Sequence, residues 1–221
     1  ERVKELTNRL AATFFQQSER LLASAKVKQT LAAPLPEGRN VAQLSETQRR
    51  AVIDSVAFLQ RIMQETPNST FRAAAQYDAA TYLLASENFT QALPLLLDFQ
   101  IRFPKNDLVL SIPGKLLVAY EESEQWQPAA VLLMAQHKAQ ADTQLGRDAL
   151  YIAAGYYFKA GDREASLSAY RSYAHRYPSP LADANEARFK MTEFYNETKD
   201  DKKRRFWLNK LIEADQKAGS E

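Results

Sequence analysis

The chain has 221 residues, of which 45% are hydrophobic and 25% are charged, and its formal net charge is +2. These values are ordinary for a folded protein with a sizeable core, and they give no global electrostatic reason for binding nucleic acid. Because the sequence contains no cysteine, disulfide frameworks, cysteine-based zinc sites and thiol catalysis are excluded.

The first predicted element is a long amphipathic helix in the segment 1–33. Its apolar stripe consists of Val3, Leu6, Leu10, Phe14, Leu21, Leu22 and Val27. Apolar residues recur at helical spacing through the rest of the chain, with no sustained alternation of the kind that a strand requires. Turn-forming or helix-stopping residues interrupt the pattern at 32–40, 65–70, 102–107, 161–162 and 177–183. The sequence therefore predicts an all-α fold.

A period of 37 residues relates the segments between these interruptions. Pro67, Pro104 and Pro178 stand one period and then two periods apart. Small residues occupy one position of the period, at Ser55, Ala92, Ala129 and Ser166. Large apolar residues occupy another, at Leu59, Leu96, Leu133, Tyr170 and Trp207. A third series consists of Leu83, Tyr120, Tyr157 and Phe194.

A unit of this length with a turn near its middle predicts two helices of about 15 residues each. The small residues let the two helix backbones approach closely, and the large residues fill the space between successive hairpins. Since one hairpin cannot bury its own apolar face, the hairpins must stack. We therefore predict an N-terminal helix or half repeat in residues 1–40 and a solenoid in residues 41–221, with repeats at about 41–70, 71–107, 108–144, 145–181 and 182–221.

Two segments carry the same pattern of residues most clearly. The segment 161–178 has a glycine-containing turn followed by Leu167, Tyr170, Tyr173 and a closing Pro178. The segment 86–104 has Phe89, Ala92, Leu96, Phe99 and Pro104. Both resemble the tetratricopeptide repeat (TPR) family, whose helix-turn-helix units usually have about 34 residues. The resemblance covers about residues 45–214 and implies a right-handed α-solenoid that acts as a non-catalytic scaffold for protein partners.

The long period and the aromatic-proline endings of the repeats are most similar to TPR-like repeats of bacterial envelope proteins. This narrower resemblance implies a periplasmic or cell-envelope location, with the cytoplasm as the alternative. The chain begins at Glu1, and we expect it to be part of a longer protein. An alternative function is the helical superstructural domain of an enzyme, such as a lytic transglycosylase, whose catalytic domain lies outside this chain.

Residues that could perform chemistry are sparse. His137 and His175 have no carboxylate or histidine at ligand spacing, and we predict surface or partly packed positions for them. The sequence has no G-x-S-x-G, phosphate-binding glycine loop or H-E-x-x-H motif. The acidic run 121–124 and the basic run 202–205 are predicted to be solvated helix faces. We therefore expect no catalysis, no cofactor, no metal, no nucleic-acid partner and no transmembrane segment in this chain.

The TPR resemblance places the first helix of each repeat on a concave groove that binds a protein or peptide partner. The residues expected to contact the partner are Tyr77, Thr81, Leu84, Glu121, Tyr151, Phe158, Arg188 and Tyr195. Val118 and Thr192 fall on the same face. Tyrosine suits such a surface because it supplies a large rigid contact area and a polar tip. The alternative interpretation, in which several of these tyrosines pack between helices, is equally open.

Some members of the TPR family clamp a carboxylate-terminated peptide with Lys and Asn from two positions of the first helices. One of these positions holds Tyr77, Gly114, Tyr151 and Arg188 in this chain. The other holds Thr81, Val118, Gly155 and Thr192. The residue types differ from those of the clamp, so we do not expect a clamp of that kind.

The groove interpretation predicts a contrast between tyrosines. Tyr151→Ala and Tyr195→Ala are expected to weaken partner binding about thirtyfold, the effect of losing an anchor worth about 2 kcal/mol, while stability stays nearly unchanged. Tyr170→Ala is expected mainly to destabilise the fold, because Tyr170 belongs to the large-residue series. Thermal melting of the three variants checks this expectation. Equal destabilisation by all three substitutions would place all three tyrosines in the core.

Overall fold

The chain folds into α-helices joined by short turns. The computed structural model describes residues 1–33, 42–178 and 181–218. These residues contain eleven α-helices, one 3₁₀ helix at Asp107–Ser111 and no strand, which confirms the predicted all-α fold. Parts of two predicted interruptions, 34–40 and 179–180, lie outside the described residues, as does the predicted boundary between residues 40 and 41.

The α-helices are numbered in chain order. They are α1 (Arg2–Ser24), α2 (Val27–Ala32), α3 (Glu46–Glu65), α4 (Arg72–Ala85), α5 (Phe89–Arg102), α6 (Ile112–Glu122), α7 (Trp126–Gln140), α8 (Gln144–Lys159), α9 (Arg163–Arg176), α10 (Leu181–Glu197) and α11 (Asp201–Ala218). The helices α4, α6, α8 and α10 are the first helices of the predicted repeats, and α5, α7, α9 and α11 are the second helices.

The helices form two compact units, Glu1–Glu124 and Gln125–Glu221. In the first unit, α1 packs on α3, α3 on α4, α4 on α5 and α5 on α6. In the second unit, α7 packs on α8, α8 on α9, α9 on α10 and α10 on α11. The division between the units falls between the two helices of the predicted repeat 108–144.

The contact between α1 and α3 includes a buried pair of hydroxyl groups. Ser18 Oγ lies 2.6 Å from Ser55 Oγ, and both side chains are almost completely inaccessible to solvent. Near the other end of this interface, Gln48 donates a hydrogen bond of 2.7 Å to Thr30 Oγ1. The guanidinium of Arg61 lies 4.1 Å from the centroid of the Phe14 ring. The later part of α1 is therefore packed in the core of the first unit, whereas Val3, Leu6 and Leu10 of the predicted apolar stripe are exposed.

Two of the periodic series occupy buried positions. The small residues at 55, 92, 129 and 166 are at most 4% exposed, and the large residues at 59, 96, 133, 170 and 207 are at most 8% exposed. In the third series Leu83 is buried, whereas Tyr120, Tyr157 and Phe194 are half-buried. The prediction that the small and large series face the helix interfaces is confirmed.

A left-handed residue ends the first helix of several repeats. Glu87, Glu124 and Gly161 have φ values of 63°, 55° and 82° and stand one 37-residue period apart, and Lys199 has a φ of 56°. After three of these residues, the next amide N–H donates to a carbonyl five residues earlier: Asn88 to Leu83, Asp162 to Tyr157 and Asp200 to Tyr195. This is the Schellman ending of a helix, in which glycine is the preferred left-handed residue.

We expect Lys199→Gly to raise the free energy of unfolding by about 0.5–1 kcal/mol. Glycine removes the steric cost of the left-handed conformation, and the greater freedom of glycine in the unfolded chain offsets part of this gain. Ala135→Gly, at an exposed position in the interior of α7, is the control and should lower the same quantity by about 1 kcal/mol. Denaturant unfolding of both variants measures the difference. A loss of stability for Lys199→Gly as large as that for Ala135→Gly would contradict the expectation.

Candidate partner-binding site

A cavity between α4 and α6 in the first unit is also lined by Leu31 of α2 and by Ala42. Its volume is about 450 Å³, and its wall is mainly apolar. The residues that α4 contributes are Tyr77, Thr81 and Leu84, whose spacings of four and three place them on one helical face. Those that α6 contributes include Gly114, Lys115 and Val118. The structure therefore brings three of the residues expected to contact a partner, together with Val118, to a single concave surface.

Contacts on both sides hold the Tyr77 side chain at this cavity. Its hydroxyl lies 2.9 Å from Ser111 Oγ, which in turn donates to the carbonyl of Leu108 at 2.8 Å. The hydroxyl proton of Ser111 lies in its bond to Leu108, so the Tyr77 hydroxyl donates to Ser111 Oγ. The Tyr77 ring lies 5.8 Å from the Phe99 ring, and Lys115 Nζ lies 5.1 Å from the Tyr77 centroid. Tyr77 is therefore a half-buried, preoriented aromatic residue in the cavity wall.

The other predicted residues of the first unit contribute less surface. Leu84 is only 6% exposed. Thr81 Oγ1 is buried and has no hydrogen-bond partner in the described part of the chain. Glu121 follows Val118 by three residues on α6, is half-buried, and is not among the described residues that line the cavity.

Gly114 keeps the cavity open beside Tyr77. A Cβ atom added at Gly114 would meet no heavy atom within 4 Å. Glycine inside a helix costs about 1 kcal/mol of stability relative to alanine. A glycine within a predicted helix therefore indicates a position where the missing side chain lets another group approach the backbone. The sequence analysis noted Gly114 only as a departure from a peptide clamp. Its position in the helix is the signal that could have located the cavity.

A second cavity, of about 260 Å³, lies in the second unit among α8, α9 and α10. Gly155, Leu167, Tyr170 and Phe194 contribute to its wall, and Phe158 is the predicted contact residue that lines it. Phe158 is 52% exposed, and the Arg163 guanidinium lies 4.9 Å from its ring. Two ion pairs, Arg163 with Glu197 and Lys190 with Glu193, border this cavity. Its charges are thus largely paired within the protein.

The structure places Tyr151 against the core of the second unit. Tyr151 is half-buried, and its ring makes edge contacts with Tyr170 at 5.8 Å and with Tyr173 at 5.3 Å. Burial, with a smaller contribution from a hydrogen bond with Glu186, raises the pKa of the Tyr151 hydroxyl. The hydroxyl is therefore neutral, and the ring supports the neighbouring helices.

Tyr195 and Arg188 also belong to the second unit. Tyr195 is 6% exposed, comparable with the 8% of Tyr170, and Lys203 Nζ lies 5.3 Å from its ring. Thr192, three residues earlier on α10, is buried as well. Arg188 is half-buried and donates to Asn185 Oδ1 at 2.6 Å, and burial lowers the pKa of its guanidinium. The tyrosine expected to contact a partner on α10 is instead a core residue.

The histidines have structural neighbours. His137 Nδ1 donates to the Gly146 carbonyl at 2.9 Å, and its ring meets Tyr177 edge-on. The His175 ring lies 5.6 Å from the Trp207 ring. Across the described residues, no group of three or more His, Cys, Asp or Glu side chains could hold a metal ion. In the same residues, no helix combines the length and the apolarity needed to cross a membrane.

Comparisons with known proteins returned similar solved structures. No protein-family model matches the chain, and no curated protein matches it at sequence level. A Podosopora anserina putative kinesin light chain with nearly identical TPR-like repeats is 16% identical, with a TM-score of 0.45, and the match covers 97% of this chain and 98% of that chain. The MamA RS-1 ArsTM double mutant is 13% identical, with a TM-score of 0.43, and covers 96% and 98%. The first of these carries TPR-like repeats, the family that the sequence resembles.

The burial of Tyr195 changes the expected outcome of its replacement. Tyr195→Ala and Tyr170→Ala should each lower the free energy of unfolding by about 3–5 kcal/mol, because both leave a cavity in the core. Phe158→Ala should lower it by less than about 1 kcal/mol, because half of that side chain is already in water. Urea unfolding of the three variants tests the ranking. A cost at Phe158 equal to that at Tyr195 would mean that Phe158 is a packing residue.

Proposed function

We propose that this chain is a non-catalytic scaffold that binds a segment of a partner protein on the face formed by α4 and α6. One observation carries the proposal: Tyr77, Thr81 and Leu84, which the TPR resemblance implies as partner contacts, line one concave, mainly apolar surface in the first unit. The mainly apolar wall is suited to burying an apolar side chain of a partner. Interfaces depend on a few aromatic anchors, and Tyr77 is a preoriented one.

The second unit contributes a separate contact at Phe158 in this proposal. Phe158 is the most exposed of the predicted contact aromatics, and it lies at the edge of the second cavity. Tyr151 and Tyr195 then support the helices that carry the surface. Glu121 and Arg188 remain proposed peripheral contacts.

The scaffold role is also supported by the chemistry of the side chains. Neither histidine lies among carboxylates at ligand distance in the described residues. The tyrosines with raised pKa, such as Tyr151 and Tyr170, are held neutral by burial, which suits packing better than proton transfer. Protein binding requires none of these groups to react.

Photo-crosslinking tests the location of the partner surface. Val118 on α6 and Ile101 on α5 are each replaced by p-benzoylphenylalanine in the full-length parent protein, expressed in its own host. Ile101 is 80% exposed and serves as the control on a second helix. We expect a defined protein adduct from position 118. If both units contact the same partner, an additional Phe158→Ala should reduce the yield of this adduct about thirtyfold. Adducts that form equally from position 101 would place the partner on the second helices instead.

We further propose that this chain is part of a larger protein of a bacterial cell envelope, in the periplasm. The support is the style of the repeats, with their 37-residue period and aromatic-proline endings. Cell fractionation of the parent protein, read by an antibody against this chain, tests the location. Recovery with cytoplasmic markers would overturn the envelope assignment and leave the scaffold role intact.

A further inference from the structure

The cavity between α4 and α6 carries a cation on an otherwise mainly apolar wall. Lys115 is half-buried and lies over the face of the Tyr77 ring. In the described part of the chain, it forms no ion pair. An ammonium group beside a mainly apolar wall favours a ligand that brings a negative charge.

The residue that precedes Lys115 in the chain leaves space beside it. Lys115 is the fourth residue of α6, which continues directly from the 3₁₀ helix Asp107–Ser111. The adjacent Gly114 leaves room for another chain to approach.

The other charges near the cavity are few. Asp78 on α4 is half-buried and lies within electrostatic range of Lys115, Glu19 and Lys28. Burial is the largest cause that raises the pKa of Asp78, and the two lysines lower it. Glu19 and Lys28 form an ion pair with each other. Asp78 is not among the described residues that line the cavity, so Lys115 is the charged group that meets a bound ligand.

We propose that this cavity binds a partner segment in which an apolar side chain stands next to an aspartate or glutamate. The apolar side chain enters between Tyr77 and Val118, and the carboxylate pairs with Lys115 Nζ. This selectivity rests on the proposed function and specifies the partner of the same surface. The mainly apolar wall supplies most of the affinity, whereas the half-exposed ion pair supplies discrimination.

Four short peptides test the selectivity by NMR titration of the isotope-labelled chain. Each peptide is N-acetylated and contains one Leu within Gly and Ser. The first three are C-amidated and place Glu, Gln or Lys after the Leu, and the fourth has Gln and a free terminal carboxylate. We expect the Glu peptide to bind about three- to fivefold more tightly than the Gln peptide, the range for a partly exposed ion pair, and the Lys peptide to bind most weakly.

Two variants connect this binding to the cavity. Lys115→Gln should make the Glu and Gln peptides equal in affinity, whereas Lys105→Gln, an exposed lysine beyond α5, should preserve the difference. Gly114→Leu should fill the cavity and lower the affinity for every peptide at least tenfold. Its thermal stability should stay the same or rise, because leucine has a higher helix propensity than glycine and its Cβ meets no heavy atom within 4 Å. Loss of binding by this variant is therefore separable from unfolding.

Each outcome decides between the two proposals. Equal binding of the Glu and Gln peptides, abolished by Gly114→Leu, would overturn the acidic selectivity and support the cavity as a protein-binding surface. Tightest binding by the peptide with a free terminal carboxylate would show that the cavity recognises the C-terminus of a chain, and would overturn the proposed recognition of an internal Asp or Glu. Absence of binding by all four peptides, or binding that Gly114→Leu leaves unchanged, would overturn both the selectivity and the assignment of this cavity.

Discussion

Close approach of neighbouring helices at one small side chain on each of α3, α5, α7 and α9 is the constraint on which both units depend. Ser55, Ala92, Ala129 and Ser166 are at most 4% exposed. At the first of these positions the approach is close enough for Ser55 to share a hydrogen bond with Ser18. A larger side chain would have to displace a helix, because a packed interior has no free volume to receive it. The large residues four positions later lie on the same face, one turn along, and fill the space beyond the contact.

This constraint explains how much of the fold could be predicted from the sequence. A position that is small in four successive repeats, followed one turn later by a position that is large, leaves a period that can be read without any structure. The TPR resemblance then implied the helical face that carries Tyr77 and Thr81, and residues at a spacing of four share a face whatever lies opposite. The predictions therefore hold best where one helix alone decides which way a side chain points.

The remaining features depend on contacts between elements that no single-helix pattern contains. Tyr195 is buried because neighbouring side chains such as Phe194 and Lys203 surround its ring. Gln76 looks like a surface residue in the sequence, yet it is fully buried and donates to the Leu95 carbonyl and to Asp98, 2.8 and 2.9 Å away. The left-handed turns at Glu87 and Lys199 could not be predicted either, because glycine is the residue type that indicates a positive φ in a sequence. Packing around the side chain fixes the first two features, and backbone hydrogen bonds at a helix end fix the turns.

The two cavities show how a repeat register can give two surfaces from one plan. The position that holds Tyr77 on α4 holds Gly114 on α6, so the missing side chain leaves space beside Tyr77. In the second unit the same position holds Tyr151 and Arg188, and Tyr151 uses its surroundings to pack against Tyr170 and Tyr173. In this unit the space lies four residues after Tyr151, where Gly155 on α8 lies beside the Tyr170 hydroxyl. A glycine in a first helix thus lines the cavity described in each unit. The neighbouring residues set the chemistry of the two cavities, with a lysine over the Tyr77 ring in the first unit and paired ions in the second.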